Sequence, residues 1–372
     1  MSGERRPDVG ILALAPLDAS QAPLLNLIDI MRVLANRLVL ITLRRGLLSG
    51  DNSVCIHEVG YAMGTTAVTK VMRYAWLQLR LAWRVVLASR TVDLWVFFMA
   101  SPLAIPALTA RILRKRIMLV LPGSYALAAR FSGDSLWWPL ATLEGITFSL
   151  ADRLVIYSPS LIKEWSLDRH RHKISVAQRH FVDFGKFKVQ KPVTERDGLV
   201  GYIGRLSQEK GVLPFMEAIP KVLQAGDNCA FLIGGDGSLR SDVEVYAAEW
   251  KGEIEYAGWI PHADLPRYLN RLRLLVLPSY TEGLPNIVLE AMACGTPVLA
   301  TPVGAIPDII ADGETGFIME NNSPECIAAN ILRALHHPDL ERIARTARAL
   351  VEREFTFDKA VERYLNVISS LG

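Results

Sequence analysis

The sequence predicts an α/β protein of two domains, each built on a parallel sheet. Short apolar strand-like runs alternate with longer helix-like runs along the whole chain, the pattern that winds into parallel sheets covered by helices. At 372 residues with 51% hydrophobic content, the chain is long enough for two separate cores. A polar, proline-containing stretch, 186–197, divides two such alternating series and is the expected linker between domains 1–190 and 198–355. The end of the chain, 356–372, is expected to return as a helix onto the first domain.

Charge is unevenly spread. Residues 1–195 carry 25 Lys+Arg and 14 Asp+Glu (25 − 14 = +11), and the remainder 16 and 24 (16 − 24 = −8), which together give the net +3. A basic half invites an anionic partner, and its tryptophans favour an anionic lipid surface over nucleic acid. Cys55, Cys229, Cys294 and Cys326 have no metal-type spacing, so buried free thiols are expected and no metal site. Glu4-Arg5-Arg6 precedes only about seven apolar residues before Pro16, too few for a secretory signal. The most apolar window, 94–110, contains Pro102 and Pro106 and fits a strand followed by a helix better than a membrane span. A cytoplasmic protein, peripheral on the membrane, is expected.

In the first half, strands are expected at 9–15, 38–43, 53–57, 94–99, 117–121, 154–157 and 174–177, with helices over 23–34, 66–89 and 136–150. The long helix 66–89 is the most informative. Lys70, Arg73, Arg80 and Arg84 fall within an arc of roughly 80°, with Trp76 and Trp83 beside them. No acidic residue interrupts Lys70 to Arg90. A basic face flanked by indole rings suits an interfacial helix. The same pattern also fits a surface helix whose two tryptophans pack on the domain.

The second half begins with a strand, 199–203, that enters Gly204-Arg205-Leu206-Ser207-Gln208-Glu209-Lys210-Gly211 before a helix ending near Gln224. Arg205 and Lys210 leave one loop and can reach the same anion, the first as a bidentate fork and the second as a mobile point charge. The spacing is not that of a P-loop. Next come a strand, 230–233, entering Gly234-Gly235-Asp236-Gly237, and another, 254–256, entering Gly258-Trp259-Ile260-Pro261. There a backbone edge and an apolar wall can receive a nucleobase, or Trp259 can pack in the core.

The stretch 274–301 organises this half. A buried strand, 274–277, is followed by a turn through Glu282, Gly283, Leu284 and Pro285. The helix 286–293, with Asn286 and Ile287 in its first turn, ends at Gly295, and a strand, 296–300, follows. Pro285 is expected at the first helical position. Glu282 precedes the helix and Glu290 lies about two turns in, roughly 12 Å along it. A helix N-terminus leaving a parallel strand is an anion site, and flanking carboxylates accept bonds from sugar hydroxyls. Equally, Glu282 can complement the helix dipole while Glu290 forms an ordinary surface pair.

These motifs occur together and in order: Gly204-Arg205 with Lys210-Gly211, Gly234-Gly235-Asp236-Gly237, Gly258-Trp259-Ile260-Pro261, Glu282 and Glu290 with seven residues between them, Gly295-Thr296-Pro297-Val298 and Gly313-Glu314-Thr315-Gly316. Jointly, over 199–320, they resemble the family 4 retaining glycosyltransferases of the GT-B fold. The resemblance implies two Rossmann-like domains facing across a cleft, and a nucleotide sugar, UDP- or GDP-linked, held mainly by the second domain without metal or other cofactor. Carried over by position, Arg205 and Lys210 look like the diphosphate clamp, Glu290 like the ribose acceptor and Glu282 like a ligand of the donor sugar. Gly204, Gly235, Ile260 and the stretch Gly283 to Ile287 complete the implied donor site. Glu282, Arg205 and Lys210 are the implied catalytic set.

The first half departs from the family pattern. Pro16-Leu17-Asp18 stands where members often carry a Gly-Gly loop, and Pro122-Gly123-Ser124-Tyr125 where they often carry a histidine. Asp18, Ser124 and Asp134 are the candidates for the acceptor side. The leading expectation is retaining sugar transfer to a lipid-linked or membrane-surface glycan. A nucleotide-sugar-binding pseudoenzyme subunit and a nucleotide-sugar epimerase are the alternatives.

Overall fold

The computed structural model describes residues 6–14, 21–43, 53–61, 64–131, 134–226 and 229–371. They divide into two compact units, Met1–His180 with Phe357–Gly372, and Phe181–Thr356.

The first unit contains β1 (Asp8–Ala13), α1 (Gln21–Leu34), β2 (Arg37–Thr42), β3 (Val54–Glu58), α2 (Ala67–Ala88), β4 (Leu94–Phe98), α3 (Ala104–Ile112) and β5 (Arg116–Val120). It continues with α4 (Tyr125–Phe131), α5 (Trp137–Leu150), β6 (Arg153–Ile156), α6 (Ser160–Glu164) and β7 (Ile174–Val176). Its parallel sheet runs β3-β2-β1-β4-β5-β6-β7. The strands read as apolar runs because helices cover both faces: Val9, Ile11, Trp95, Val96, Phe97, Ile117 and Leu119 are all fully buried.

α2 begins one residue later and ends one earlier than expected, because Thr66 and Ser89 are its caps. Thr66 Oγ1 accepts from the Thr69 amide at 3.3 Å, and Thr69 Oγ1 accepts from the Thr66 amide at 2.9 Å, a reciprocal capping box.

The second unit contains β8 (Leu199–Ile203), α7 (Val212–Gln224), β9 (Ala230–Gly234), α8 (Arg240–Glu249), β10 (Ile254–Gly258), α9 (Leu265–Arg271) and β11 (Leu274–Leu277). After these come α10 (Asn286–Ala293), β12 (Val298–Ala300), β13 (Phe317–Ile318), α11 (Pro324–Leu335) and α12 (Leu340–Glu354). Its parallel sheet runs β10-β9-β8-β11-β12-β13, so strand order reverses between β8 and β11. Tyr202, Phe215, Phe231, Phe317 and Ile331 fill its core. The closing helix, α13 (Phe357–Ser369), belongs to the first unit, where Arg153 donates to the Ser370 carbonyl at 3.0 Å and Tyr364 is fully buried.

Three expectations differ from what the structure places. The segment 186–197 is part of the second unit, with Phe187, Val193 and Arg196 buried. The cause is Arg196, whose guanidinium donates to the carbonyls of Lys191, Leu269, Leu272 and Cys294 and to Thr296 Oγ1. It thereby closes the C-terminal ends of α9 and α10, where free carbonyls and the helix dipole favour a cation. Of the four free cysteines only Cys294 is buried, and burial pushes its thiol up to about 12. Pro285 is the residue before α10 rather than its first, because its ψ of 123° is extended and the helix starts at Asn286.

Candidate functional site

The loops leaving β8, β9, β10 and β11 sit side by side at the carboxyl ends of their strands. The reversal of strand order between β8 and β11 makes that edge the place where such sheets receive ligands. Two glycines let the loops close on one another. Gly235 has φ +138° and lies against Gly204, so that a Cβ there would collide with the Gly204 carbonyl oxygen. Gly211 has φ +72° and a Cβ there would meet the Pro278 carbonyl oxygen. Backbone bonds fix the juxtaposition: Gly204 N to Gly234 O at 3.0 Å, Gly235 N to Gly258 O at 2.7 Å and Tyr280 N to Glu209 O at 2.9 Å.

Within this frame Lys210 and Glu282, read separately from sequence, form one ion pair, Nζ to Oε2 at 2.7 Å, and both side chains are largely shielded from solvent. Glu282 Oε1 also accepts from Ser279 Oγ at 2.7 Å, and Lys210 Nζ reaches the Thr281 carbonyl at 3.4 Å. Glu282 is therefore held on both oxygens. Arg205 is more open: its Nη1 lies 3.4 Å from Glu209 Oε1, while Tyr202 donates to its carbonyl at 2.7 Å. Ile260 is buried beneath Gly234, whereas Trp259 is 67% exposed, which excludes its packing in the core. Gly283 accepts from the Ala305 amide at 2.9 Å, which steadies the turn carrying Leu284 and Pro285. Asn286 and Ile287 are half-buried at the start of α10.

Glu290 is buried, and its Oε1 lies 2.8 Å from His262 Nε2. His262 escapes sequence reasoning because its partner is 28 residues away on another element. The hydrogen bond to Glu290 raises its pKa above 6.5, against burial and Lys186, with Asp183 acting in the same direction as Glu290. A histidine whose folded pKa is raised adds stability that is fully present below the unfolded pKa and is lost as pH rises through the folded one. His262→Ala is accordingly expected to lower the melting temperature at pH 5.5 and to leave it unchanged at pH 9. The difference should stay below about 1 kcal/mol, because a side chain 63% exposed is screened by solvent. Thermal unfolding at the two pH values checks it.

The acceptor-side candidates are placed differently. Asp18 lies outside the described residues. Ser124, at the carboxyl end of β5, donates to Glu144 Oε2 at 2.8 Å. Glu144 is buried and also accepts from Ser101 Oγ at 2.6 Å and the Tyr125 amide at 2.8 Å, so it caps the start of α4. Sequence offers no signal for it, since its partners lie up to 43 residues away. Asp134 is exposed and accepts from the Leu136 amide at 2.9 Å just before α5. A cavity of about 480 Å³ beside Ser124 and Glu144 is walled by Trp137, Phe148 and Trp165, with Arg130 and Arg169 among its lining.

On α2, Trp76 and Trp83 are 63% and 62% exposed, and Val68, Val71, Met72, Leu79 and Leu87 lie exposed with them, so the tryptophans do not pack on the domain. Arg80 donates to the Gly60 carbonyl at 2.9 Å; Lys70, Arg73 and Arg84 complete the basic side. No helix among the described residues is long and apolar enough to cross a membrane. Among the same residues no group of three His, Cys, Asp or Glu side chains is placed to hold a metal ion.

Residues 197–337 match the family model described as glycosyl transferases group 1. Over 210 residues the chain is 30% identical to the alpha-D-kanosaminyltransferase of Streptomyces kanamyceticus, covering 54% of each. Over 188 residues it is 28% identical to the O-antigen chain mannosyltransferase B of Escherichia coli, covering 49% of each. The chain thus spans about half the length of the curated relatives it matches. Among solved structures, Anabaena HepE in complex with UDP superposes with a TM-score of 0.76 at 16% identity, over 98% of this chain and 100% of that one. The lipopolysaccharide outer core galactosyltransferase WaaB superposes at 0.71 with 17% identity, over 98% and 99%. The sheet order and these likenesses agree on the fold, which is GT-B, while the match to the group 1 glycosyl transferase model is confined to residues 197–337.

Proposed function

We propose that the protein transfers a sugar, with retention of configuration, from a UDP- or GDP-sugar to a lipid-linked or membrane-surface glycan, without metal or other cofactor. The observation that carries this reading is the Lys210–Glu282 pair at 2.7 Å, set at the strand-order reversal beside the start of α10. Departure of a nucleoside diphosphate develops negative charge, which Lys210, Arg205 and the amides at the start of α10 are disposed to stabilise. Glu282, oriented by Ser279, receives the donor sugar hydroxyls, and Glu290 the ribose. Gly204 and Gly235 admit the phosphates close to the backbone, and Ile260 forms the apolar floor for the base. HepE is described as bound to UDP and to UDP-glucose, which supports a nucleotide-sugar donor.

Ser124, on the aromatic cavity walled by Trp137 and Trp165, and Asp134 are the acceptor-side residues under this reading. With no histidine at that place, the leaving phosphate itself takes the acceptor proton. The test is product analysis. Incubation of donor with a lipid-linked acceptor should yield a glycosylated lipid with the donor's anomeric configuration. Inverted product, released epimer or tight binding without turnover would each overturn it.

The cytoplasmic membrane face is the proposed location. The apolar stripe of α2, with Lys70, Arg73, Arg80 and Arg84 along one side, matches an anionic bilayer in polarity and charge. Arg73, Arg80 and Arg84 replaced together by Glu should abolish sedimentation with vesicles containing anionic lipid, and unchanged sedimentation would contradict the assignment.

A further inference from the structure

The first unit holds a second concave site, at the opposite edge of its sheet from Ser124. Three neighbouring strands, β1, β4 and β5, begin there, and a cavity of about 540 Å³ opens between their first residues. Arg6, Arg90, Arg114, Lys115 and Arg116 line it, with Ile368 at the end of α13 and Leu371 just beyond it as its apolar wall. Two acids also line it, but both are engaged: Asp8 Oδ1 accepts from Asn36 at 2.8 Å and Asp93 Oδ2 from the Asp8 amide at 3.1 Å. Three separate stretches of chain therefore deliver five cations against two acids, and among the described residues no ion pair of these five side chains is found.

The turn between α3 and β5 is shaped to do this. Arg114 takes φ +54° where a helix normally ends in glycine, a strained conformation for a side chain of this size. The turn is closed by Arg114 N to Arg111 O and Lys115 N to Ala110 O, both 2.9 Å, and it sets three consecutive basic residues on the cavity.

We infer that this cavity seats the phosphates of an anionic phospholipid headgroup. The shared chemistry is a phosphate ester, and its position points to lipid as the source. Arg90 follows α2 by two residues and Arg114 follows α3 by two, and the ends of these helices expose Val86 and Leu87, and Ile112 and Leu113. The cavity thus continues the apolar stripe at the point where headgroups would lie. This inference rests on the membrane-face reading above and specifies which group the face grips.

The test uses the full chain without donor or acceptor, so that loss of the transferase reading leaves it intact. Sedimentation is compared on phosphatidylcholine vesicles carrying phosphatidylglycerol or diphosphatidylglycerol at equal surface charge. A pocket for clustered phosphates predicts roughly fivefold tighter binding to the two-phosphate lipid, since converging arginines bond several phosphate oxygens at once. Arg90→Gln with Arg116→Gln should erase that preference and weaken binding roughly thirtyfold. Lys163→Gln with Arg171→Gln, equal in charge and outside the cavity, should keep it. Equal binding to the two lipids by the unaltered protein, or a preference that survives in the cavity variant, overturns the inference while leaving the α2 face standing. Calorimetric binding of inorganic pyrophosphate without any vesicle binding would assign the cavity to a soluble anion and overturn it too.

Discussion

Lys210→Ala is expected to lower kcat for sugar transfer roughly 10²–10³-fold, about 3–4 kcal/mol of transition-state stabilisation, the usual effect of removing one fixed donor from a site of developing negative charge. The lysine is already ordered, because Glu282 holds its ammonium at 2.7 Å and the Thr281 carbonyl lies 3.4 Å away. Under the proposed function its charge is therefore in place beside Glu282 before donor arrives. Loss of the side chain leaves Glu282 bonded to Ser279 Oγ, so the turn keeps its anchor and the melting temperature should change little. Glu282→Ala and Arg205→Ala are expected to act in the same direction. Steady-state kinetics with matched thermal unfolding separate this from misfolding: a variant with near-normal kcat contradicts the role, and one that melts early shows a structural part instead.

Arg196→Met should destabilise the protein by about 3–5 kcal/mol, because several buried neutral acceptors are left without a donor at once. Every acceptor around this guanidinium is neutral, and burial lowers its pKa to about 10 without discharging it at neutral pH. The carbonyls of Lys191, Leu272 and Cys294 would lose this donor, each at about 1–3 kcal/mol before relaxation, while that of Leu269 keeps the Thr296 hydroxyl at 2.8 Å. Arg196→Lys is expected to recover only part of the loss, since one ammonium cannot span acceptors at two helix ends. Urea unfolding measures both. A loss under about 1 kcal/mol for the methionine variant would mean that the segment 186–197 is held mainly by Phe187 and Val193.

How far the residues announced this structure depends on what encodes each part. β8 and β11 are legible to the residue, because buried parallel strands are unbroken apolar runs, and Gly295 marks the end of α10. The loop motifs at 204–211 and 282–290 could be assigned to one site, but the direct pairing of Lys210 with Glu282 joins residues 72 apart and follows only from strand order. Arg196 looks like a linker residue because its partners belong to two helices that begin about 70 residues or more further on. Glu144 and His262 are hidden for the same reason: each is a single polar residue whose role comes from a contact elsewhere in the chain. On α2 the periodicity groups the basic residues on one arc but cannot say whether the tryptophans face in or out, because Leu77, Leu81 and Val85 form a second apolar stripe that takes the core side.

The central claim is that the carboxyl edge of β8 and β11 grips a nucleoside diphosphate sugar through Arg205, Lys210, Glu282 and Glu290. Thermal unfolding in the presence of UDP-, GDP- and ADP-sugars tests it most directly, since a ligand that binds only the folded state stabilises by RT ln(1 + [L]/Kd), about 2.7 kcal/mol at one hundred times Kd. A concentration-dependent rise in Tm with a UDP- or GDP-sugar, lost in Lys210→Ala and Arg205→Ala, is the expected result. No shift with any of these sugars, or an equal shift in both variants, would contradict it.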